Sequence, residues 1–423
     1  MDLQSHYDVI IVGGRPAGAS LAARLGRAGL RVLLLERAGF PSAPAVSYPA
    51  IFSGTMRLLE EIGVAEEDYA HDTPRLRWWV HEFRHYFRTF SRVPYLDGRD
   101  YAYAIDRSRF DDALWRNAAR FPSVAAVEGC SVTDLLWHAG RVAGVRARLV
   151  RGEDVSFTAD CVVGAGGRFG LIARKAGARL VEARTDLPTT VYYAYWADAE
   201  PYDEGGALFH VVAPGHGYGF LLMDSAGGRL GVGIYGQSAL VDPRPDSAET
   251  FYLRQLRAHP RVWRRLEHAE RVTEVRGMRK IGNLYRDAGG PGWALVGDAL
   301  RQIDPMDAQG IYDALWMAKE LSRTILAWKN GACSWEQAIA TYQQAAHAET
   351  HARYLATLAR VKREIYAWRP EWAYQSSAIL ILPIIRFAYL AQTGNSGDMN
   401  NRLPTQTLDC CRSSARVPHR SAI

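Results

Sequence analysis

The sequence contains few cysteines, and none of them forms a C-x-x-C pair. The five are Cys130, Cys161, Cys333, Cys410 and Cys411. An odd number at mostly wide spacing predicts neither a disulfide framework nor a zinc site, so no metal is expected. Free thiols fit a reducing compartment, and the first residues lack the basic and apolar regions of a signal peptide. We therefore expect a cytoplasmic protein.

Long apolar runs and blocks of basic residues are also missing. The most apolar late stretch, residues 378–391, contains Pro383 and Arg386 and is shorter than the ~20 residues that cross a bilayer. We expect a core or interfacial helix there, with peripheral membrane contact left open. The net charge is +6, but the basic residues are scattered. This pattern is typical of a solvated surface and predicts no nucleic-acid partner.

The composition itself is that of a globular protein with a large core. Apolar residues make up 48% of the 423 positions and charged residues 23%. A chain of this length exceeds one ordinary domain, so at least two are expected.

The clearest local pattern is an apolar run followed by a glycine-rich turn. The run covers residues 9–12, the turn holds Gly13, Gly14 and Gly18, and a second apolar run ends at Glu36. Such a turn lets backbone amides approach a pyrophosphate at the positive end of a helix dipole. A carboxylate about 20 residues later is suited to bind a ribose. The spacing predicts a strand–turn–helix–strand unit that binds a dinucleotide.

Two further apolar strands end in glycine-rich turns. One covers residues 159–168, and the other, residues 293–298, ends in Gly297 and Asp298. An acidic side chain at a strand end can hold sugar hydroxyls, and free amides at the start of a predicted helix over residues 312–329 can stabilise an anion. A role for Asp298 as a helix cap or turn residue is the structural alternative.

Residues 73–103 and 184–270 have a different composition, with many aromatic residues and partial alternation. The first stretch has aromatic and basic residues at Arg75, Arg77, Trp78, Trp79, His81, Phe83, His85, Tyr86, Phe87 and Phe90. This pattern predicts strands of a second sheet. We predict that Tyr192 and Tyr218 line an apolar or aromatic substrate pocket in it. Ordinary packing between sheets is the alternative.

Together these stretches resemble the flavin-dependent monooxygenases of the p-hydroxybenzoate hydroxylase type, whose relatives include geranylgeranyl reductases and halogenases. The resemblance covers about residues 7–330 and implies an α/β fold, with a Rossmann-like FAD-binding domain and an inserted, mainly antiparallel substrate domain. A helical C-terminal region would follow. The expected FAD-binding domain comprises residues 1–72, 104–183 and 271–330, the substrate domain residues 73–103 and 184–270, the helical region residues 331–394, and a mobile tail residues 395–423.

The resemblance also implies which residues bind FAD. The glycine turn would hold the pyrophosphate, Asp298 the ribityl chain, and the loop from Pro305 to Ile311 would lie under the isoalloxazine ring. The implied cofactor-binding residues are Gly13, Gly14, Gly18, Glu36, Arg37, Arg107, Val132, Gly297, Asp298, Pro305, Gln309, Gly310 and Ile311. Catalytic side chains and the oligomeric state stay unassigned.

Three positions depart from the family pattern. Arg15 replaces the middle glycine of the turn, Ala308 stands where a glycine is usual, and Gly166-Gly167 stands where Asp-Gly is common. An arginine at position 15 either crowds the pyrophosphate or pairs with it. The lost aspartate would weaken the usual link between FAD binding and use of the reductant.

The resemblance implies an FAD-dependent monooxygenase acting on an aromatic or polyketide-like apolar small molecule through a flavin hydroperoxide. NADH or NADPH would reduce the flavin and O₂ would then add to it. Only one dinucleotide fingerprint is visible, and in this family the reductant binds transiently. A reductase of isoprenoid double bonds, which the chain is similar to at residues 214–220, and a non-catalytic flavin-binding sensor are the alternatives. A halogenase is disfavoured because the sequence lacks a Trp-x-Trp-x-Ile-Pro segment.

Overall fold

A computed structural model describes residues 6–42, 44, 49–83, 87–202, 206–215 and 217–367. In that part of the chain the helices are α1 (Pro16–Arg27), α2 (Ser53–Ile62), α3 (Glu66–Ala70), α4 (Arg107–Ala119), α5 (Leu171–Lys175), α6 (Ala248–Arg257), α7 (Pro260–Trp263), α8 (Gly310–Lys329) and α9 (Trp335–Arg360), and α9 continues as a π-helix over Val361–Tyr366. The apolar stretch 378–391 and the tail 395–423 lie outside the described residues. Among the described helices, none is both long and apolar enough to cross a membrane.

The first sheet is built around β1, which lies between two parallel neighbours. Its strands are β1 (His6–Val12), β2 (Val32–Leu35), β7 (Val124–Val127), β8 (Ser131–His138), β9 (Arg141–Arg148), β10 (Asp154–Gly164), β17 (Gly289–Gly290) and β18 (Trp293–Leu295). Strands β18, β10, β1, β2 and β7 run parallel in that order. All four residues of β2 are buried, as expected for a parallel sheet covered on both faces. The predicted Rossmann-like unit is therefore confirmed.

The second sheet is antiparallel except for one pair of strands. It contains β4 (Trp78–Phe83), β5 (Phe87–Arg92), β11 (Leu180–Ala197), β12 (Leu208–Ala213), β13 (Tyr218–Asp224), β14 (Leu230–Gln237), β15 (Glu270–Arg271), β16 (Arg276–Arg286) and β19 (Arg301–Gln302). Only β4 and β12 pair in parallel within the described sheet. The short strands β3 (Ala50–Ile51) and β6 (Tyr103–Ala104) pair separately. The expectation of an inserted, mainly antiparallel sheet is confirmed.

The second sheet extends beyond the boundaries that we predicted for the substrate domain. Strand β16 pairs with β11 and β19, although residues 271–330 were expected in the FAD-binding domain. The physical reason is the length of β11, which has 18 residues and uses β14 on one edge and β16 on the other. Without β16 that long edge would expose unpaired backbone groups.

The two faces of the second sheet have different neighbours. One face packs on α6 and α7 in a core that includes Tyr192, Phe220, Phe251 and Val262. The other face borders a cavity shared with the first sheet. The fold therefore places the aromatic sheet next to the glycine-rich strand ends.

Candidate cofactor and substrate cavity

A cavity of about 1350 Å³ is lined by residues from both sheets. On the first sheet its lining follows the carboxyl ends of β1, β2, β10 and β18, where α/β proteins commonly bind ligands. Of the predicted cofactor residues, the lining includes Gly13, Glu36, Arg37, Arg107, Val132, Asp298, Pro305, Gln309, Gly310 and Ile311. The predicted Gly14, Gly18 and Gly297 are not part of the lining. The structure thus brings residues from distant parts of the chain to one cavity.

The glycine turn is fixed by close packing of the backbone. Gly13 has φ +113°, and a Cβ there would lie 2.5 Å from the carbonyl oxygen of Ala165. A Cβ on Gly18 would lie 1.8 Å from the carbonyl oxygen of Gly13, and one on Gly14 would lie 2.4 Å from the Trp115 ring. Gly13 therefore contributes to the cavity surface, whereas Gly14 and Gly18 allow the turn to form behind it.

Glu36 is held rigidly at the end of β2. Its carboxylate accepts hydrogen bonds from the N–H groups of Gly14, at 2.8 Å, and Ala38, at 3.1 Å. The side chain is buried and still forms part of the cavity lining. This arrangement fixes a carboxylate where the adenosine ribose of a dinucleotide is expected.

Arg15 and Arg107 share one buried carboxylate, that of Asp111. Arg15 donates to it at 2.5 Å, and Arg107 donates through Nε at 3.0 Å and Nη2 at 2.9 Å. Arg15 also donates to the backbone oxygen of Ser42 at 2.9 Å. Both guanidinium groups are in the cavity lining near the glycine turn, where they can pair with a diphosphate. The i,i+4 spacing of Arg107 and Asp111 was the sequence signal for this pair.

Two helices begin at the cavity without a side-chain cap. Among the described residues, no side chain caps the N-terminus of α1 or α8. Asp106, Ser247 and Ser334 cap α4, α6 and α9, whereas α2, α5 and α7 also have no side-chain cap. In addition, the buried Oε1 of Gln309 has no hydrogen-bond partner in the described structure. Free amides at two helix starts and the glycine turn fit an extended, anionic cofactor such as FAD.

Asp298 forms an ion pair that the sequence did not indicate. Its carboxylate lies 3.2 Å from Nε of Arg168, and Arg168 also donates to the backbone oxygen of Ile303 at 2.6 Å. About a third of the Asp298 side chain, 34%, remains exposed, so it can still bind a sugar hydroxyl. Arg168 directly follows Gly166-Gly167, so its place after a strand end was the available signal.

The loop after β19 is held to the second sheet through Asp304. Its buried carboxylate accepts hydrogen bonds from Tyr235, at 2.6 Å, Thr189, at 2.5 Å, and the N–H of Met306, at 2.9 Å. Burial raises the pKa of the Asp304 carboxyl, although the hydrogen bonds act in the opposite direction. Ala308 has φ +52°, a conformation that explains why a glycine is usual at this position.

An aromatic wall on the second sheet faces the cavity. We use this name for Trp79, His81 and Phe83 of β4 with the paired Phe209 and Val211 of β12. The Trp79 and Phe209 rings stack with centroids 4.1 Å apart and an interplanar angle of 15°. The wall is formed by alternate residues, as a strand requires. It adds apolar side chains to the cavity lining beside the cofactor residues.

The two predicted pocket tyrosines both pack against the helix-covered core, and only one of them reaches the cavity lining. Tyr192 is not in the cavity lining, because its ring packs against Phe251 on the helix-covered face of the sheet. The neighbouring Tyr193 lines the cavity instead, since a shift of one residue along a strand exchanges the faces. Tyr218 is in the lining, but it also packs against the helix-covered core, on the same face of the sheet as Phe220, and its hydroxyl is 3.1 Å from Nε2 of His259.

The C-terminal end of α9 and the following π-helix form another part of the lining. Arg360, Arg363, Glu364 and Ile365 contribute to it. Arg360 donates to Asp307 at 2.5 Å and so connects α9 to the loop that contains Pro305. π-Helical turns occur frequently at functional sites. No sequence spacing indicated this contact, because it joins residues 53 positions apart.

Several known proteins are similar to this chain in sequence or in fold. A family model described as "FAD binding domain" matches residues 6–354. Tryptophan 2-halogenase of Chondromyces crocatus is 27% identical over 329 residues, 75% of this chain and 60% of that protein. Digeranylgeranylglycerophospholipid reductase 2 of Methanococcoides burtonii is 24% identical over 74% of this chain and 73% of that protein. The structure of the myxobacterial chondrochloren halogenase CndH has a TM-score of 0.76 at 22% identity, covering 93% of each chain.

Proposed function

Since the chain belongs to the FAD-binding domain family and is an FAD-dependent oxidoreductase-type enzyme, we propose that it acts as a monooxygenase. Its substrate would be an aromatic or polyketide-like apolar small molecule, and its co-substrates NAD(P)H and O₂. The observation that carries the proposal is the shared cavity, in which the predicted cofactor residues and the aromatic wall face the same space.

The residues of the first sheet would bind FAD along its length. Glu36 would hold the adenosine ribose, Arg15 and Arg107 would neutralise the diphosphate, and Asp298 would accept a hydrogen bond from the ribityl chain. The loop from Pro305 to Ile311 would support the isoalloxazine ring. FAD, when bound, supplies the redox chemistry between NAD(P)H, O₂ and the substrate. The chain's own residues position the two molecules and exclude water from the space between them.

The proposal is tested with purified protein and a panel of aromatic substrates. The protein should be yellow and release FAD on denaturation, and a substrate should stimulate NAD(P)H oxidation with O₂ uptake. Labelled ¹⁸O₂ should place one labelled oxygen atom in the product. A folded protein that acquires no flavin on reconstitution would contradict the cofactor assignment. Substrate-stimulated turnover without incorporation of label would contradict monooxygenation.

Two other reactions, halogenation and double-bond reduction, are alternatives because the similar proteins include enzymes named for them. Halogenases and a reductase of a geranylgeranyl lipid are among these proteins. Halogenation would give a product whose mass depends on added chloride or bromide, and double-bond reduction would proceed without O₂. The same incubation, repeated with each halide and under anaerobic conditions, therefore separates the three reactions.

A further inference from the structure

The polar side chains around the aromatic wall differ in whether they have a hydrogen-bond partner within the protein. Three hydroxyl or guanidinium groups in the lining have partners within the protein. These pairs are Tyr235 with Asp304, Arg360 with Asp307 and Tyr218 with His259, at 2.6, 2.5 and 3.1 Å. His81 is different, because its Nδ1 is buried and has no hydrogen-bond partner among the described residues. Native proteins rarely leave such a group unpaired, so it calls for a ligand or another explanation.

The surroundings of His81 are apolar on the strand and positive beyond it. Its imidazole lies between Trp79 and Phe83, with ring centroids at 5.8 and 6.3 Å and nearly parallel planes. The side chain is only 7% exposed. Burial, together with the charges of Arg360 and His210, lowers the pKa of His81 to about 3. The imidazole is therefore neutral at physiological pH.

A neutral imidazole selects among the polar groups that a ligand can present. One of its nitrogens donates a hydrogen bond and the other accepts one, depending on the tautomer. A hydroxyl group can serve either tautomer, because it both donates and accepts. A ligand ammonium would instead be buried near Arg360, where charge repulsion disfavours it. The geometry therefore favours a hydroxyl on an otherwise apolar ring.

We propose that His81, a member of the cavity lining, determines substrate specificity by hydrogen bonding, through its imidazole, to a hydroxyl group of an aromatic molecule lying against Trp79. The proposal rests on the monooxygenase function above for the identity of this space as the substrate site. Its test is independent of turnover, because it measures binding to the oxidised, FAD-loaded protein without reductant.

The experiment uses ligand pairs that differ only by a hydroxyl or a methyl group on the same ring. Suitable pairs are p-cresol with p-xylene, 2-naphthol with 2-methylnaphthalene, and 9-hydroxyphenanthrene with 9-methylphenanthrene. Binding is followed by calorimetry and by changes in the flavin absorption spectrum. In the wild-type protein the hydroxyl compound of at least one pair should bind about tenfold more tightly or better.

Two variants locate the source of this preference. His81→Phe keeps an aromatic ring on the wall, and both members of the pair should then bind with equal affinity, to within about twofold. The matched control, Trp79→Phe, changes the apolar surface of the same wall. It should weaken both ligands alike and leave the hydroxyl preference intact.

Thermal unfolding separates a ligand-binding role from a structural one. Replacing an unpaired buried nitrogen by an apolar group of similar shape is nearly neutral or stabilising. Ligand-free His81→Phe should therefore keep or raise the melting temperature and retain FAD affinity within about twofold. A clear drop in melting temperature would assign His81 to the fold and overturn the proposal.

Other outcomes also decide the matter. The proposal fails if the wild-type protein binds none of the pairs, shows no hydroxyl preference, or keeps that preference in His81→Phe. A preference that depends on His81, in a protein that consumes no O₂ with NAD(P)H, would uphold the binding role and reject monooxygenation. Hydroxylation that is indifferent to His81→Phe would reject only the role of His81.

Discussion

The two sheets contribute to one cavity in different ways. The first sheet presents strand ends and turns, whose backbone is held in place by glycines such as Gly13 and Gly18. The second sheet presents side chains from the middle of its strands, such as Trp79 and Tyr193. The surface from the first sheet depends on the local backbone conformation. The surface from the second sheet depends on which side chains of its strands face the cavity. The first should therefore tolerate few changes, whereas the second can vary its side chains while the sheet stays intact.

Gly18→Ala should produce the largest effect of the changes considered. The new Cβ would lie 1.8 Å from the carbonyl oxygen of Gly13, and no flexible side chain can move to relieve the clash. We expect a loss of at least about 3 kcal/mol in the free energy of unfolding, measured by denaturant titration without added FAD. Gly310→Ala is the matched control, since its Cβ would meet nothing within 4 Å. Equal stability of the two variants would contradict the role given to the turn.

Glu82, on the helix-covered face of the second sheet, should make the free energy of unfolding depend on pH in the acid range. Burial alone would raise the pKa of the Glu82 carboxyl, but the neighbouring His210 imidazole at 3.2 Å, a hydrogen bond from Tyr202 and the charge of Arg261 lower it to about 2. Because the folded pKa lies below the ordinary carboxyl value of 4.5, the stabilisation is complete above that pH and disappears as the pH falls towards about 2. It amounts to the order of 3 kcal/mol.

Unfolding measured between pH 2 and 6 checks this expectation. Glu82→Gln should be less stable than the wild type at neutral pH, since it leaves Arg261 without its charged partner. It should also show a shallower loss of stability in acid. An unchanged slope in the variant would show that other carboxyl groups control the acid response.

On the first sheet, Asp298→Ala should act on the cofactor rather than on the fold. A charge-assisted hydrogen bond contributes about 1.5–3 kcal/mol, so FAD affinity should fall roughly ten- to a hundredfold. The fold should survive because the side chain is partly exposed. Fluorescence titration with FAD measures the change. Full affinity in the variant would remove Asp298 from the cofactor site, and unfolding in excess FAD would make it structural.

Tyr192 and Tyr193 provide the finest test of the second sheet, because they are neighbours on opposite faces. Tyr192→Phe removes a buried hydroxyl without a partner in the described structure, so stability should change by less than about 1 kcal/mol and turnover should not change. Tyr193→Phe should alter the KM for an accepted substrate while FAD binding persists. Equal kinetic effects of both changes would contradict the assignment of faces.

The sequence predicted the first sheet well because its signals are local. Apolar runs, the turn from Gly13 to Gly18 and the carboxylate of Glu36 lie within one short stretch, and their geometry follows from neighbouring residues. The loop from Pro305 to Ile311 was found by resemblance, and its positive φ at Ala308 shows why a glycine is usual there.

The second sheet was predicted only in outline because register is a long-range property. Alternation identified strands, but it did not decide whether Tyr192 or Tyr193 faces the cavity, and it missed the pairing of β16 with β11. Contacts such as Arg360 with Asp307 and Asp298 with Arg168 depend on elements far apart in the chain. No spacing in the sequence could have revealed them.

The central position of β1 has a consequence for synthesis in the cell. Its neighbour β10 lies about 150 residues later, since His6 and Thr158 pair across 152 positions, and β18 is translated later still. A nascent chain therefore carries an unsatisfied strand edge for much of its time on the ribosome, which slows folding and invites aggregation. If FAD binds the folded chain and not the unfolded one, its binding shifts the equilibrium between unfolded and folded protein towards the folded state by mass action. The yield of folded protein should accordingly rise with the riboflavin supply of the host.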